Sequence, residues 1–414
     1  MTVKIILIIE DDQIVANIYR NKLSVEGYNV EVALDGEVGR ALIKSFRPDA
    51  IVLDLMLPKV TGLELMKEIR AEPDFEKVPV IVFSNTYLTN LVQEAWKAGA
   101  TKCLSKANCT PKHVLEVVRS ALGRNGDSNA SATVTAPAPP ARPAPAALRA
   151  PGSVPAGEVF TADDSDVQFQ ADLRKSFLEG LPVTLAGLRL LLQGLVKADS
   201  EMMRLKQVHE LYRRIHALTG NAGIAGMFLI SQMADAFEAL LKELHEKPKN
   251  VNASTLRTVA TAVDFLGFLF NHGTDAAKQE VPPANILVVD DEAISRRAIT
   301  YALEKAKLKS VNVEDPNAAY QMLLERNFDL VFLDVDMPGM NGYELCAKLR
   351  AMPKYQKTPI VFVTSLTDFD SRANSMMSGG NDFIAKPFLF IELAVKALVY
   401  VLRGKLSPAA GTTA

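Results

Sequence analysis

The chain has 414 residues, with 46 Lys and Arg against 48 Asp and Glu. The size calls for two to four domains, and the near-neutral balance gives no electrostatic reason to expect nucleic acid or an anionic membrane as partner. No uninterrupted apolar run approaches the roughly 18 residues of a membrane-spanning helix, and the opening Lys4–Ile9 stretch is too short for a signal peptide, so insertion into a membrane is not expected.

From Lys4 to about Leu122, short β-branched runs alternate with amphipathic stretches. Strands are expected at Ile5–Ile9, Asn29–Ala33, Ala50–Leu53, Val80–Phe83 and Lys102–Leu104, with helical patterns such as Leu63–Arg70 and His113–Leu122 between them. Near-continuous apolar strands separated by helices predict a parallel sheet covered on both faces. Residues 124–157 are dominated by Ala, Pro, Ser and Gly and read as a linker, locally polyproline-like. Residues 158–272 change to helical periodicity, with turn signals at Gly180-Leu181-Pro182 and Lys247-Pro248-Lys249, and predict a bundle of about four helices. A short tether, 273–284, leads into a second α/β segment, 285–405, and 406–414 form a tail. Its clearest strands are Ile286–Val289, Leu330–Leu333, Ile360–Val363 and Asp382–Ala385. The three cysteines, Cys103, Cys109 and Cys346, have no metal-type spacing and read as small buried residues of a reducing cytoplasm.

The two α/β segments share one constellation at a constant offset of 280 positions. Glu10, Asp11, Asp54, Ser84 and Lys106 recur as Asp290, Asp291, Asp334, Thr364 and Lys386, and Pro58, Gly62 and Pro79 recur as Pro338, Gly342 and Pro359. In a doubly wound sheet, ligands gather at the carboxyl ends of the strands beside the switch in strand order. Each set of five therefore converges on one crevice. Three carboxylates so close repel one another unless a divalent cation joins them, and oxygen-only ligands with room for water favour Mg²⁺. With the lysine neutralising phosphoryl oxygens and the hydroxyl donating a hydrogen bond, Asp54 or Asp334 is placed to attack phosphorus and form an acyl phosphate.

Both segments resemble the receiver domains of two-component response regulators. The motifs are Ile8-Ile9-Glu10-Asp11-Asp12, Leu53-Asp54-Leu55-Met56-Leu57-Pro58 and Ser84, then Val288-Val289-Asp290-Asp291-Glu292, Leu333-Asp334-Val335-Asp336-Met337-Pro338, Thr364 and Lys386-Pro387. The resemblance implies a flavodoxin-like sheet of strand order 2-1-3-4-5 in each. It also implies phosphorylation at Asp54 and Asp334, and Mg²⁺ held by Glu10 and Asp11 or by Asp290 and Asp291, with a backbone carbonyl from Met56 or Asp336. Phe383 fills the place of the aromatic that swings inward on phosphorylation, where the first copy has Cys103. The first copy also departs in Asn85, after Ser84, and in Lys106-Ala107 where the second has Lys386-Pro387. Ordinary switching is expected at Asp334, and altered kinetics or output at Asp54.

In the helical middle, His216-Ala217-Leu218-Thr219-Gly220-Asn221-Ala222-Gly223 stands out. Leu205, Val208, Leu211, Tyr212, Ile215 and Leu218 form the buried stripe, and His216 lies at its edge. A helix-interior glycine costs about 1 kcal/mol relative to alanine, so Gly220 and Gly223 indicate that something approaches this face closely. The stretch resembles the histidine phosphotransfer domain, whose motif is His-x-x-Lys-Gly, which implies a phosphorylated His216. Thr219 stands where that motif has lysine and brings a hydroxyl but no charge. Arg213, three residues before His216, is the nearby cation expected to compensate.

The expected architecture is receiver, linker, phosphotransfer bundle, receiver, without an ATP-binding kinase domain. It reads as a cytoplasmic phosphorelay protein exchanging phosphoryl groups among Asp54, His216, Asp334 and a separate sensor histidine kinase or other relay proteins. The linker, ~30 residues at ~3 Å each, gives the first receiver ample reach to His216. The alternative is a phosphorylation-gated interaction scaffold with a silent bundle. Pairing of two copies through receiver surface helices is open.

Overall fold

The computed structural model describes residues 3–84, 89–123, 164–275, 279–365 and 378–407. Asn85, the 124–157 linker and most of the tail lie outside them. The first α/β segment runs β1 (Ile5–Ile9), α1 (Gln13–Val25), β2 (Asn29–Ala33), α2 (Gly36–Phe46), β3 (Ala50–Asp54), α3 (Gly62–Ala71), β4 (Val80–Ser84), α4 (Thr89–Lys97), β5 (Lys102–Ser105) and α5 (Pro111–Gly123). Its five strands pair in parallel in the order β2-β1-β3-β4-β5. Both faces of the central strands are covered, which is why Ile6–Ile9 and Ile51–Leu53 carry unbroken apolar runs rather than alternation.

Local chemistry sets where the helices begin. Asp12 caps α1 by accepting from the Ile14 and Val15 amides, and Thr61 with Glu64 forms a capping box at α3. The shared glycines also have a steric reason. A Cβ on Gly62 would lie 2.0 Å from the Asp54 carbonyl oxygen, and one on Gly342 2.1 Å from that of Asp334. Only glycine lets the chain pass so near the strand end that carries the aspartate.

The bundle comprises α6 (Asp164–Val196), α7 (Glu201–Ile224), α8 (Phe228–Glu246) and α9 (Ala253–His272). Ser200 and Asn252 cap α7 and α9, and Gly226, at φ +71°, makes the tight turn from α7 into α8. Lys247-Pro248-Lys249 does separate helices, as a 3₁₀ turn. Gly180-Leu181-Pro182 does not: it lies inside α6. An interior proline costs roughly 3 kcal/mol. Leu181, Leu188 and Leu195, spaced seven apart and all buried, hold the helix through it.

Two helices contain stretches long and apolar enough, by hydropathy, to cross a membrane: Phe169–Val196, whose most apolar window is 17% buried, and Ala253–His272, 61% buried. The expectation that no such run exists counted only uninterrupted apolar residues. The second of them is largely a core helix of the bundle.

The second α/β segment repeats the first with β6 (Ile286–Val289), α10 (Ala293–Lys305), β7 (Ser310–Val313), α11 (Pro316–Glu325), β8 (Leu330–Leu333), α12 (Gly342–Ala351), β9 (Ile360–Thr364), β10 (Asp382–Ala385) and α13 (Phe390–Leu406). Its sheet order is the same arrangement, β7-β6-β8-β9-β10. One hydrophobic core runs from the bundle into this segment, joining Phe237, Leu240 and Leu266 to Leu398, Leu402 and the β6–β8–β9 face. At the same joint, buried Glu392 of α13 accepts from Ser254 Oγ (2.7 Å) and Thr258 Oγ1 (3.0 Å) of α9. The first α/β segment meets the bundle differently, through the loops at the carboxyl ends of its strands.

Candidate functional site

Glu10 follows β1, Asp54 ends β3, Ser84 ends β4, and Lys106 follows β5, so the parallel sheet delivers all four to one edge. The Lys106 ammonium lies 2.6 Å from Asp54 Oδ2 and 3.0 Å from Glu10 Oε1, with all three residues buried. Asp54 Oδ1 accepts from the Met56 amide at 3.0 Å. Asp11 is exposed at the rim. Glu10, Asp11, Asp54 and His216 each offer a ligand atom, and these lie within 4.8 Å of one another. Glu10 Oε2 is buried without a hydrogen-bond partner. An orphaned carboxylate oxygen beside two further carboxylates suits a hard divalent cation.

His216 belongs to α7 of the bundle, yet its imidazole enters this pocket. Its Nε2 lies 3.6 Å from Asp54 Oδ2 and 3.3 Å from the Lys106 ammonium, and its Nδ1 lies 2.9 Å from Glu238 Oε1 of α8. Gly223 makes the approach possible, whereas Gly220 leaves room for a methyl group. A Cβ on Gly223 would stand 2.2 Å from the Lys106 carbonyl oxygen, and one on Gly220 3.5 Å from Val15 Cγ2. What comes close to α7 is therefore the backbone of the first α/β segment, at the 3₁₀ turn Lys106–Asn108. That turn occupies the place where the second copy has the cis Lys386–Pro387 peptide.

The charges at this junction are strongly coupled. Burial pushes Glu10 up to about 7 against the opposing pull of Lys106. For Asp54, burial is outweighed by the Lys106 and His216 charges, which hold it well below the usual carboxylate range. Burial and Lys106 oppose a charge on His216, but Glu238 and Asp54 overcome them and push it up to about 10. Glu238 is buried, yet His216 draws it below its ordinary value. The resting junction is thus an ion-paired cluster sealed between two folded units.

Two sequence expectations need correction here, and one residue of the site was missed. Thr219 does not face the pocket: it is fully buried, its hydroxyl donates to the Ile215 carbonyl at 2.9 Å, and it sits beside Glu238. Arg213 does not balance the site either. Its side chain is 68% exposed and lies near Glu210, because its position faces away from the buried stripe. Glu238 was not singled out from the sequence. Its spacing from Leu241, Leu244 and Phe237 disguises it as one polar residue at the edge of a core helix, and only the pairing of α7 with α8 reveals it.

The second site is built alike but faces no histidine in the described contacts. Lys386 Nζ lies 2.9 Å from both Asp290 Oδ2 and Asp334 Oδ2, and Ser295 Oγ donates to Asp290 at 2.5 Å. Asp334 is raised by burial despite Lys386, and Asp290, Asp291 and Asp334 form a second cluster with ligand spacing. Thr364 ends β9 and is buried, while Asp336 is exposed. Phe383 is buried in β10, with the Arg257 guanidinium of α9 stacked 4.4 Å from its ring centre. Cys103, at the corresponding place in the first copy, is half-buried, and burial pushes its thiol up to about 11.

The sequence profile of the response regulator receiver domain matches residues 6–119 and 286–397, together more than half of the chain. Among characterised proteins, RcaC of Microchaete diplosiphon is 33% identical over 116 residues, which cover 28% of this chain and 18% of its own length. The transcriptional regulatory protein ResD of Bacillus subtilis is 39% identical over 116 residues, covering 28% and 47%. These matches thus span less than half of either relative. Of solved structures, a putative response regulator from Chloroflexus aurantiacus is 28% identical, covering 30% of this chain and 100% of its own, at a TM-score of 0.29. The chemotaxis response regulator CheY4 of Vibrio cholerae is 29% identical, covering 29% and 100%, at 0.28.

Proposed function

The chain belongs to the response regulator receiver family, and we propose that it is a phosphorelay protein in which Asp54 and His216 exchange a phosphoryl group within one chain. The observation that carries this reading is the 3.6 Å separation of His216 Nε2 from Asp54 Oδ2 across two separately folded units.

The chemistry follows from the partners of the imidazole. At rest the ring is an imidazolium, and it gives up its Nε2 proton to solvent as the junction opens. With the remaining proton on Nδ1, held by Glu238, His216 then presents an Nε2 lone pair towards Asp54. In transfer from the aspartyl phosphate, Nε2 forms the new bond to phosphorus as the bond to the Asp54 oxygen breaks. The electron pair returns to the Asp54 oxygen, and the restored carboxylate charge is met by the Lys106 ammonium. Glu238 stabilises the positive charge that develops on the ring. The reverse reaction uses the same groups. Near-attack geometry needs about 3–3.5 Å between reacting atoms with phosphorus lying between oxygen and nitrogen, so the junction opens by roughly an ångström to admit the group. Glu10, Asp11 and Asp54, with the Met56 carbonyl, would hold Mg²⁺, as would Asp290, Asp291 and Asp334 with the Asp336 carbonyl. When bound, the cation supplies charge neutralisation for the phosphoryl oxygens.

The second receiver is a further acceptor at Asp334, supported by Thr364 and Lys386, with Phe383 reporting its state. A separate sensor histidine kinase or another relay protein loads the chain, in the cytoplasm. A scaffold role for this receiver is favoured by its continuous core with the bundle, since α13 is spent on that contact.

The test uses the full-length chain carrying Asp334→Asn, so that only Asp54 accepts phosphate. After brief labelling with radioactive acetyl phosphate and Mg²⁺, label in alkali-stable form is followed over time. The relay reading expects phosphohistidine that disappears in His216→Gln and in Asp54→Asn. Stable label on Asp54 with none on His216 would leave the scaffold.

A further inference from the structure

A histidine–aspartate exchange site needs positive charge around the phosphoryl group as it moves, and this junction is short of it. Glu10, Asp11, Asp54 and Glu238 gather here against the ammonium of Lys106 and a His216 ring that must lose its charge before it can attack. An added phosphoryl group brings roughly one and a half to two further negative charges. Apart from the His216 ring, which is spent as the nucleophile, the bundle helix α7 contributes no cation to the pocket: Thr219 is turned inward and Arg213 outward.

The neighbouring helix supplies one. Lys242 lies one helical turn after Glu238 on α8, so both side chains leave the same face. Its side chain is only 14% exposed, and its ammonium sits 3.2 Å from Met56 Sδ. Met56 is the residue whose amide donates to Asp54 Oδ1, so the ammonium touches the segment that directly follows the aspartate. A thioether is a weak acceptor, and the nearest carboxylate, Glu246 on its own helix, is 3.6 Å away and 54% exposed. A lysine whose side chain is so largely covered, and whose ammonium has so poor a local partner, is positioned for an anion that arrives later. The ammonium's contact is with receiver 1, although Lys242 also lines a cavity beside Phe388 and Phe390 of receiver 2. In receiver 2 the residue equivalent to Met56 is Asp336, which is exposed.

We propose that Lys242 is the bundle's phosphoryl-stabilising cation, taking from α8 the role that residue 219 cannot fill on α7. The inference rests on the Asp54–His216 exchange proposed above.

The experiment uses the full-length Asp334→Asn chain, with Lys242→Met and Lys242→Arg added separately. Methionine keeps the stem packed against Met56 and removes the charge; arginine restores the charge. Label on Asp54 and label on His216 are followed together after a pulse of acetyl phosphate. Loss of one preorganised charge from a phosphoryl-transfer site is expected to slow His216 labelling on the order of 100-fold. The His216 rate is taken per Asp54 labelled, and Lys242→Arg should recover most of it. Lys242→Met transferring at the parent rate overturns the proposal, as does a loss that arginine fails to restore. A parent chain that labels Asp54 but never His216 overturns the relay reading, and this inference with it.

Discussion

Gly223→Ala separates the stability of the bundle from its junction with the first receiver, because the two respond with opposite sign. Within α7 the substitution replaces a helix-interior glycine, which by itself stabilises the helix by about 0.4–1 kcal/mol. At the junction, the new methyl group would fall 2.2 Å from the Lys106 carbonyl oxygen, a backbone atom that cannot rotate away. Ser231 Oγ also stands only 3.4 Å from the new methyl position. Restoring an ordinary contact takes a shift of about an ångström, and that shift is transmitted directly to Lys106 and to the His216–Asp54 pair. Displacement on the order of 1 Å in a transfer site costs about 100-fold in rate. The assay measures the first-order appearance of phosphohistidine in full-length protein, beside thermal denaturation of the same sample. Expected are an unchanged or slightly raised melting temperature and a transfer rate reduced about 100-fold. Transfer at the parent rate would refute the view that the glycine exists for this contact. A large fall in melting temperature would refute the claim that the two effects are separable.

Further outcomes follow from the same geometry. Glu238→Gln removes a carboxylate that helps hold the His216 imidazolium, so the His216 pKa should fall from about 10, as read by NMR titration of the ring protons. The same change should slow phosphohistidine formation on the order of 100-fold, the usual range for a lost acid–base partner. Glu392→Ala strands the Ser254 and Thr258 hydroxyls inside the α9–α13 joint and should cost about 1–3 kcal/mol by urea denaturation, whereas Glu392→Gln keeps the acceptor and should cost less. Leu398→Ala, in the core shared by bundle and second receiver, should cost about 2–5 kcal/mol, and a cost near zero would deny that this core is continuous. Chelation of divalent cations should abolish acetyl phosphate loading at Asp54 and Asp334 alike, measured as total acid-stable label.

Much of this was legible from the residues because the signals were redundant. The 280-residue offset pairs the acidic, hydroxyl and lysine positions of the two sites, and apolar β-branched runs such as Ile5–Ile9 and Ile360–Val363 leave little choice but buried parallel strands. The glycines of α7 also spoke plainly: they cost helix stability, and a backbone does press against Gly223. What the sequence hid was relational. Gly180-Leu181-Pro182 looked like a turn because proline's local penalty is visible and the leucine row that overrides it becomes decisive only once the bundle is assembled. Thr219, Arg213, Glu238 and Lys242 are ordinary helix residues until α7 and α8 are paired and a third body is docked on them. Rotation about α7 sends Thr219 inward and Arg213 outward, and the cation comes from another helix. The shared core between bundle and second receiver was likewise unreadable, since apolar positions on α9 and α13 look the same whether they face their own domain or a neighbour.

The central claim is that the first receiver is docked on His216 within one chain, and the dependence of transfer on protein concentration tests it most directly. Full-length Asp334→Asn protein, pulse-labelled at Asp54, is diluted over a wide concentration range, and the rate of phosphohistidine formation is followed. An intrachain junction predicts a rate independent of concentration, and no transfer when Asp54→Asn and His216→Gln chains are mixed at low concentration. A rate that scales with concentration, matched by efficient transfer between those two variants, would contradict it.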